Sequence, residues 1–334
     1  MRMPILLWRR CLAVVALLGL VLLSGPLAAQ QPTSVNPTAA SVQEQQLLQQ
    51  LQAVQGRISI PDQRANVLIQ PAGQDWRAFH QVTLPWIGAI AILGMLAVLV
   101  LFYMSRGKIM IDSGPSKQRI VRFNSFERFV HWLTAGSFML LALTGLNITF
   151  GKFLLLPVIG PEAFTALSQA GKYVHNYLSF PFMLGLVFMF LVWVVHNLPN
   201  AVDVAWLKAG GGLLKKGVHP PAKKFNAGQK LIFWAVIVGG VGLSVTGLIL
   251  LFPFQGTSIA DMQLSQMIHG LISLVLIAVM IAHIYIGSVG MEGAFDAMGS
   301  GEVDLNWAKE HHSLWVQEEM KKTGGAGARA QAAE

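Results

Sequence analysis

The chain has 334 residues, 54% of them hydrophobic and only 12% charged, against the roughly 25% charged residues of an ordinary soluble domain, which argues against a soluble globule. The net charge of +8 fits basic loops beside a membrane better than a nucleic-acid footprint, so no nucleic-acid partner is expected. Cys11 is the only cysteine, which excludes disulfides, thiolate-held iron–sulfur clusters, cysteine-rich zinc sites and covalent c-type haem and leaves histidine or methionine to hold any redox centre.

Arg2, Arg9 and Arg10 precede an apolar run from Cys11 to Leu23 that breaks at Ser24-Gly25-Pro26 and reaches Ala28-Ala29. This is the pattern of a signal peptide over residues 1–29; an uncleaved anchor is the alternative. Residues 30–83 are polar and Gln-rich, with Pro32, Pro37, Pro61 and Pro71, and export makes them a periplasmic segment. Within it Leu47, Leu48, Leu51 and Val54 have the spacing of one short amphipathic helix, either part of a tether or a docking helix.

Five stretches without Asp, Glu, Lys or Arg follow, at about 84–104, 129–151, 173–197, 231–254 and 265–290, each long enough to cross a bilayer. Arg106, Lys108, Lys117, Arg119, Arg122 and Arg128 crowd the first connection; Lys208, Lys215, Lys216, Lys223, Lys224 and Lys230 crowd the third. Both therefore belong on the cytoplasmic side. The sparsely charged loops 152–172 and 255–264 face the periplasm, and the chain ends as a cytoplasmic tail, 291–334, whose last stretch from Gly324 is of low complexity and expected to be disordered.

The sequence repeats internally. Phe123-Asn124, Trp132 and Thr144-Gly145-Leu146 recur as Phe225-Asn226, Trp234 and Thr246-Gly247-Leu248, each displaced by 102 residues, while His175 and His269 occupy matching places in the second and fourth core spans. An all-α membrane protein is expected: a four-helix transmembrane core over 105–290, built as two similar helix pairs, with 84–104 added outside it. The repeat breaks where His131 is matched by Phe233 and His283 by Met189.

Five of the nine histidines lie in apolar spans: His131, His175, His196, His269 and His283. Polar groups there are expensive and usually functional. Topology puts His131 and His283 at the cytoplasmic depth and His175 and His269 at the periplasmic one. The fourteen residues between His269 and His283 advance about 21 Å and return to nearly the same helix face. Paired neutral imidazoles on facing helices can clamp a porphyrin, and no buried carboxylate accompanies them as a proton relay would require; interhelical hydrogen bonding is the plainer alternative. His196 suits a helix end, and His80, His219, His311 and His312 suit polar surface. Asn226 with Gln229 makes a capping box, as Asn124 does with Glu127; alternatively Asn226, Gly228 and Gln229 bind a quinone carbonyl.

At Glu127-Arg128-Phe129-Val130-His131-Trp132, Gly171-Lys172-Tyr173-Val174-His175, His196-Asn197-Leu198-Pro199, Lys224-Phe225-Asn226-Ala227-Gly228-Gln229-Lys230, Ile268-His269-Gly270, His283-Ile284-Tyr285 and Trp307-Ala308-Lys309-Glu310-His311-His312, the chain resembles the gamma (cytochrome b) subunit of membrane-bound respiratory formate dehydrogenase. The resemblance covers residues 120 to about 315. It implies a four-helix dihaem cytochrome b in a bacterial inner membrane, with one b haem on His175 and His269, a second on His131 and His283, and a quinone beside Asn226, Gly228, Gln229 and His283. The implied partners are an iron–sulfur beta subunit and a molybdenum or tungsten catalytic alpha subunit that oxidises formate in the periplasm. A hydrogenase or another molybdenum oxidoreductase is the nearest alternative to that partner, and a haem-free membrane anchor or transporter is a more distant reading.

Overall fold

The computed structural model describes residues 71–331 except 214 and 254; the signal-peptide region and the Leu47–Val54 helix lie outside the described residues. Helix α1 (Pro71–Ala78) runs through one π turn (Phe79–Thr83) into α2 (Leu84–Arg106), so the first apolar stretch is the end of a longer helix. After the short strand β1 (Arg119–Val121) come α3 (Ser125–Leu154), α4 (Leu156–Trp193), the small α5 (Ala201–Lys208), α6 (Ala227–Leu251) and α7 (Ile259–Tyr285). The last part holds α8 (Asp296–Gly299), β2 (Glu302–Asp304), α9 (Leu305–His311) and α10 (Ser313–Gln331). Among the described residues five helical segments are long and apolar enough to cross a membrane, matching the five stretches read from the sequence.

Local chemistry fixes where the helices begin. Asn124 with Glu127, Asn200 with Asp203, Asn226 with Gln229 and Ser258 with Asp261 all close complete capping boxes, satisfying backbone N–H groups that a helix start leaves open. The stretch 152–172 is not the loop its polarity suggested. Helix α3 passes through Leu155 into α4, which breaks at Gly160 (φ 78°) and resumes with Pro161; proline has a fixed φ suited to a first helical turn and no N–H to lose there, so residues 161–172 stay helical outside the apolar zone.

Helix α3 packs on α4, α6 on α7, and α4 on α6, joining the two repeats into one bundle. The added helix α2 lies along α7. There a Cβ at Gly88 would sit 2.8 Å from Leu274, and one at Gly270 would sit 2.7 Å from Leu84, so the absence of side chains is what lets α2 and α7 close. Most remaining side chains of α2 are exposed, as a lipid-facing helix requires.

The segment after residue 290 is folded. Strand β2 pairs antiparallel with β1 through Arg119↔Asp304, Ile120↔Val303 and Val121↔Glu302. Trp307, Ala308, Trp315 and Val316 join Phe123, Trp193 and Phe225 in the main buried cluster. The expectation of disorder from Gly324 is corrected: α10 continues to Gln331.

Candidate haem sites

Two imidazole pairs form inside the bundle, one toward each end. His131 lies two turns into α3 and His283 in the last turn of α7, with ring centroids 6.3 Å apart and planes at 55°. At the other end His175 of α4 and His269 of α7 have centroids 6.2 Å apart and planes at 59°. Two metal–imidazole bonds of about 2.0–2.1 Å plus two ring radii of ~1.1 Å, set by bonds of about 1.33 Å, give nearly that separation. The rings are thus spaced for one metal ion between them.

Each pair opens into a cavity of about 510 Å³, within the range of about 300–1,000 Å³ found for small-molecule and cofactor sites. Among the described residues no group of three or more His, Cys, Asp or Glu could hold a metal ion by itself. A pair of imidazoles with no third such group beside it among the described residues, next to a roomy and largely apolar cavity, would suit an ion carried by its own macrocycle.

The repeat supplies a second layer of control at the α4–α7 pair. Thr144 Oγ1 donates to the Leu140 carbonyl at 2.9 Å and lies 2.8 Å from His175 Nδ1; Thr246 Oγ1 donates to the Gly242 carbonyl at 2.7 Å and lies 2.9 Å from His269 Nδ1. A hydroxyl has one proton, already given to the helix, so it accepts from Nδ1–H. Each imidazole is thereby fixed with its Nε2 lone pair free, the usual arrangement behind a metal-bound histidine. A Cβ on the adjoining Gly145 would come 3.7 Å from the His175 ring, and one on Gly247 3.4 Å from the His269 ring. The duplicated Thr-Gly-Leu motif therefore orients and seats both rings, a role its repetition alone did not reveal. At the other pair, the His131 Nδ1 is buried without a partner among the described residues.

Asn226, Gly228 and Gln229 line the same cavity as His131 and His283. The capping reading of this stretch is correct as far as it goes: Asn226 Oδ1 accepts from the Gln229 N–H at 2.9 Å, and Gln229 Oε1 accepts from the Asn226 N–H at 3.1 Å. Capping uses only the oxygens. The two amide nitrogens make no hydrogen bond among the described residues.

His196 sits exposed in the 3₁₀ turn Val195–Asn197 at the end of α4, away from both pairs. His219 is exposed and pairs with Asp112 at 2.9 Å. The other three histidines read as surface need correction. His80 lines the His175–His269 cavity, with its Nε2 3.4 Å from Gln266 Nε2. His311 and His312 line the His131–His283 cavity, and burial pushes His311 down to about 4 and His312 well below the ordinary histidine value. Trp307, Ala308, His311, His312, Trp315 and Val316 recur at helical spacing, the pattern that could have shown this face to be buried.

The family model described as prokaryotic cytochrome b561 matches residues 122–301. The cytochrome b556(fdo) subunit of formate dehydrogenase from Escherichia coli (strain K12) is 32% identical over 210 residues, 62% of this chain and 96% of that protein. The cytochrome b556(Fdn) subunit of the nitrate-inducible formate dehydrogenase of the same strain is 32% identical over 216 residues, 62% of this chain and 97% of that protein. The formate dehydrogenase cytochrome b556 subunit of Haemophilus influenzae is 28% identical over 206 residues, 60% of this chain and 84% of that protein. The chain belongs to the prokaryotic cytochrome b561 family and is a multi-pass, haem b-carrying electron-transfer subunit of the formate dehydrogenase cytochrome b type.

Proposed function

We propose that this chain carries electrons across a bacterial inner membrane from a periplasmic formate-oxidising partner to a quinone, using two b haems. His175 and His269 hold the periplasmic one, and His131 and His283 the cytoplasmic one. The observation that carries this reading is the near-equal spacing of the two imidazole pairs, 6.2 and 6.3 Å, each opening into a cavity of macrocycle size. A b haem, when bound, exchanges one electron between its ferric and ferrous states.

The residues of the chain do the rest. Thr144 and Thr246 hold His175 and His269 in one tautomer, so neither imidazole rotates away from its metal position. Apolar side chains of α3, α4, α6 and α7 line both cavities. Asn226 and Gln229 offer amide N–H donors, beside His283, to a quinone carbonyl. The basic connections at 105–128 and 198–230 put that site on the cytoplasmic side, where quinone reduction takes up protons. Moving each electron inward against 100 mV stores about 2.3 kcal/mol.

The relatives' names, subunits of formate dehydrogenase, support a partner that carries the formate chemistry; we take those partners to be an iron–sulfur subunit and a molybdenum or tungsten catalytic subunit. Residues 1–29 act as the export signal and 30–83 as a periplasmic segment. Purified complex should contain two non-covalent haems per copy of this chain. His283→Ala should lose one of them and abolish quinone reduction, while formate oxidation with an artificial acceptor persists. Unchanged haem content in that variant would refute the ligand assignment.

A further inference from the structure

Among the described residues, buried polar atoms without partners concentrate beside His131 and His283. Arg122 is buried, and its Nη2 donates to the Lys224 carbonyl at 2.6 Å and to His312 Nε2 at 3.0 Å. The second bond is possible because His312 Nδ1 gives its proton to the Lys223 carbonyl at 2.8 Å. Arg122 Nε and Nη1 have no partner, and neither do Trp307 Nε1 and His311 Nε2. Arg122, Trp307 and His311 all line the His131–His283 cavity.

Among the described residues no acid pairs with this guanidinium. Glu127 accepts from Lys224 Nζ at 2.6 Å, from Trp193 Nε1 at 3.0 Å and from the Asn124 N–H at 2.9 Å. Glu310 is engaged by the backbone N–H groups of Asp112 and Ser113. The rings of Phe123, Trp307 and Trp315 lie 5.1–5.4 Å from Arg122 Cζ and exclude water. Burial pulls its pKa down to about 9, only partly offset by the charge of Glu127. An unpaired buried charge is strongly destabilising, and orphaned buried donors are rare enough to need an explanation.

We infer that Arg122, Trp307 and His311 form a receptor for a carboxylate of the haem held by His131 and His283. This rests on the ligand assignment proposed above. A b haem is largely apolar apart from its two propionate groups, and a guanidinium edge with an indole N–H and an imidazole beside it supplies what a carboxylate accepts. The receptor also gives a reason for the Trp-Ala-Lys-Glu-His-His stretch: the folded tail delivers two of the three donors to a site inside the bundle.

The test is a redox titration of both haems in the assembled, quinone-depleted complex, comparing wild type with Arg122→Gln, Arg122→Lys and Trp307→Phe. A buried cation favours the reduced state. Arg122→Gln should therefore keep two haems but lower the reduced-to-oxidised ratio of one by about tenfold at fixed potential, about 59 mV for one electron. The affected haem should be the one that His283→Ala loses, Trp307→Phe should move it the same way by less, and Arg122→Lys should restore most of the value. Unchanged potentials in Arg122→Gln and Trp307→Phe overturn the inference; if Arg122→Gln fails to assemble, Trp307→Phe decides alone. A shift seen only when quinone is added back also overturns it, because the acceptor is then a quinone carbonyl. If His283→Ala keeps both haems, the ligand assignment itself has failed.

Discussion

Replacing Thr246 with valine keeps the shape of the side chain and removes one hydroxyl. In the folded chain that hydroxyl donates to the Gly242 carbonyl and receives the Nδ1 proton of His269. The carbonyl already has its helical hydrogen bond, so the loss falls on the imidazole. An unsatisfied buried donor costs about 1–3 kcal/mol, equivalent to roughly 5- to 150-fold in an equilibrium constant. Partners behind metal-bound histidines account for about 10–100-fold in affinity, so the two routes agree. Thr246→Val should accelerate loss of one haem to apomyoglobin by about 10- to 100-fold and leave the other at its wild-type rate. Thr144→Val, acting through His175, must weaken the same haem. Equal retention in both variants, or effects on two different haems, would refute the argument that the duplicated threonines serve one site.

Acidification should loosen the folded tail. His311 and His312 are held below the ordinary value of about 6.5 by burial, so below that pH the unfolded tail binds protons that the docked tail refuses; stability is complete above about pH 7 and declines by up to about 1.4 kcal/mol per unit and histidine as pH falls. Protection factors of the Leu314 and Trp315 amides, both donated to the Ala222 carbonyl, should be lower at pH 5.5 than at 7.5, and pH-independent protection would contradict this. Gly88→Leu places a side chain where even a Cβ meets Leu274 at 2.8 Å; cross-linking between engineered cysteines on α2 and α7 should fall sharply, with both haems retained.

The pairing of the four imidazoles was legible because a polar ring in an apolar span has few neighbours to be confused with, and helix periodicity carries His269 and His283 to one face. Thr144 and Thr246 were visible only as repeats, since threonine is ordinary in membrane helices; the ring nitrogen that each receives depends on a neighbouring helix. Arg122, His311 and His312 were the hardest to read. Arg122 sits in a run of surface-like bases, and the tail has the mixed charge of solvated chain, yet pairing of β1 with β2 brings the two together. Likewise the helical stretch 161–172 follows from Gly160 and Pro161 acting in sequence, which a hydropathy reading does not weigh.

The two copies of the Asn-capped helix start differ in whether they can offer a donor to the quinone proposed above. In the first copy the box closes with Glu127, whose carboxylate also accepts hydrogen bonds from Lys224 and Trp193; it offers no donor, and Phe126 occupies the position of Gly228. In the second, Gln229 closes the same box with its oxygen and keeps its Nε2 protons for a ligand. Gln229→Glu separates the two functions of this residue, because a carboxylate serves a capping box as well as an amide does but cannot donate. The variant should retain wild-type thermal stability and both haems while quinone reduction falls by at least tenfold, as expected from losing about 1.4 kcal/mol of hydrogen bonding to a buried carbonyl. Gln229→Ala should lose the cap as well, at a cost of about 0.5–2 kcal/mol. If Gln229→Glu reduces quinone at the wild-type rate, the box is only a cap and the quinone binds elsewhere.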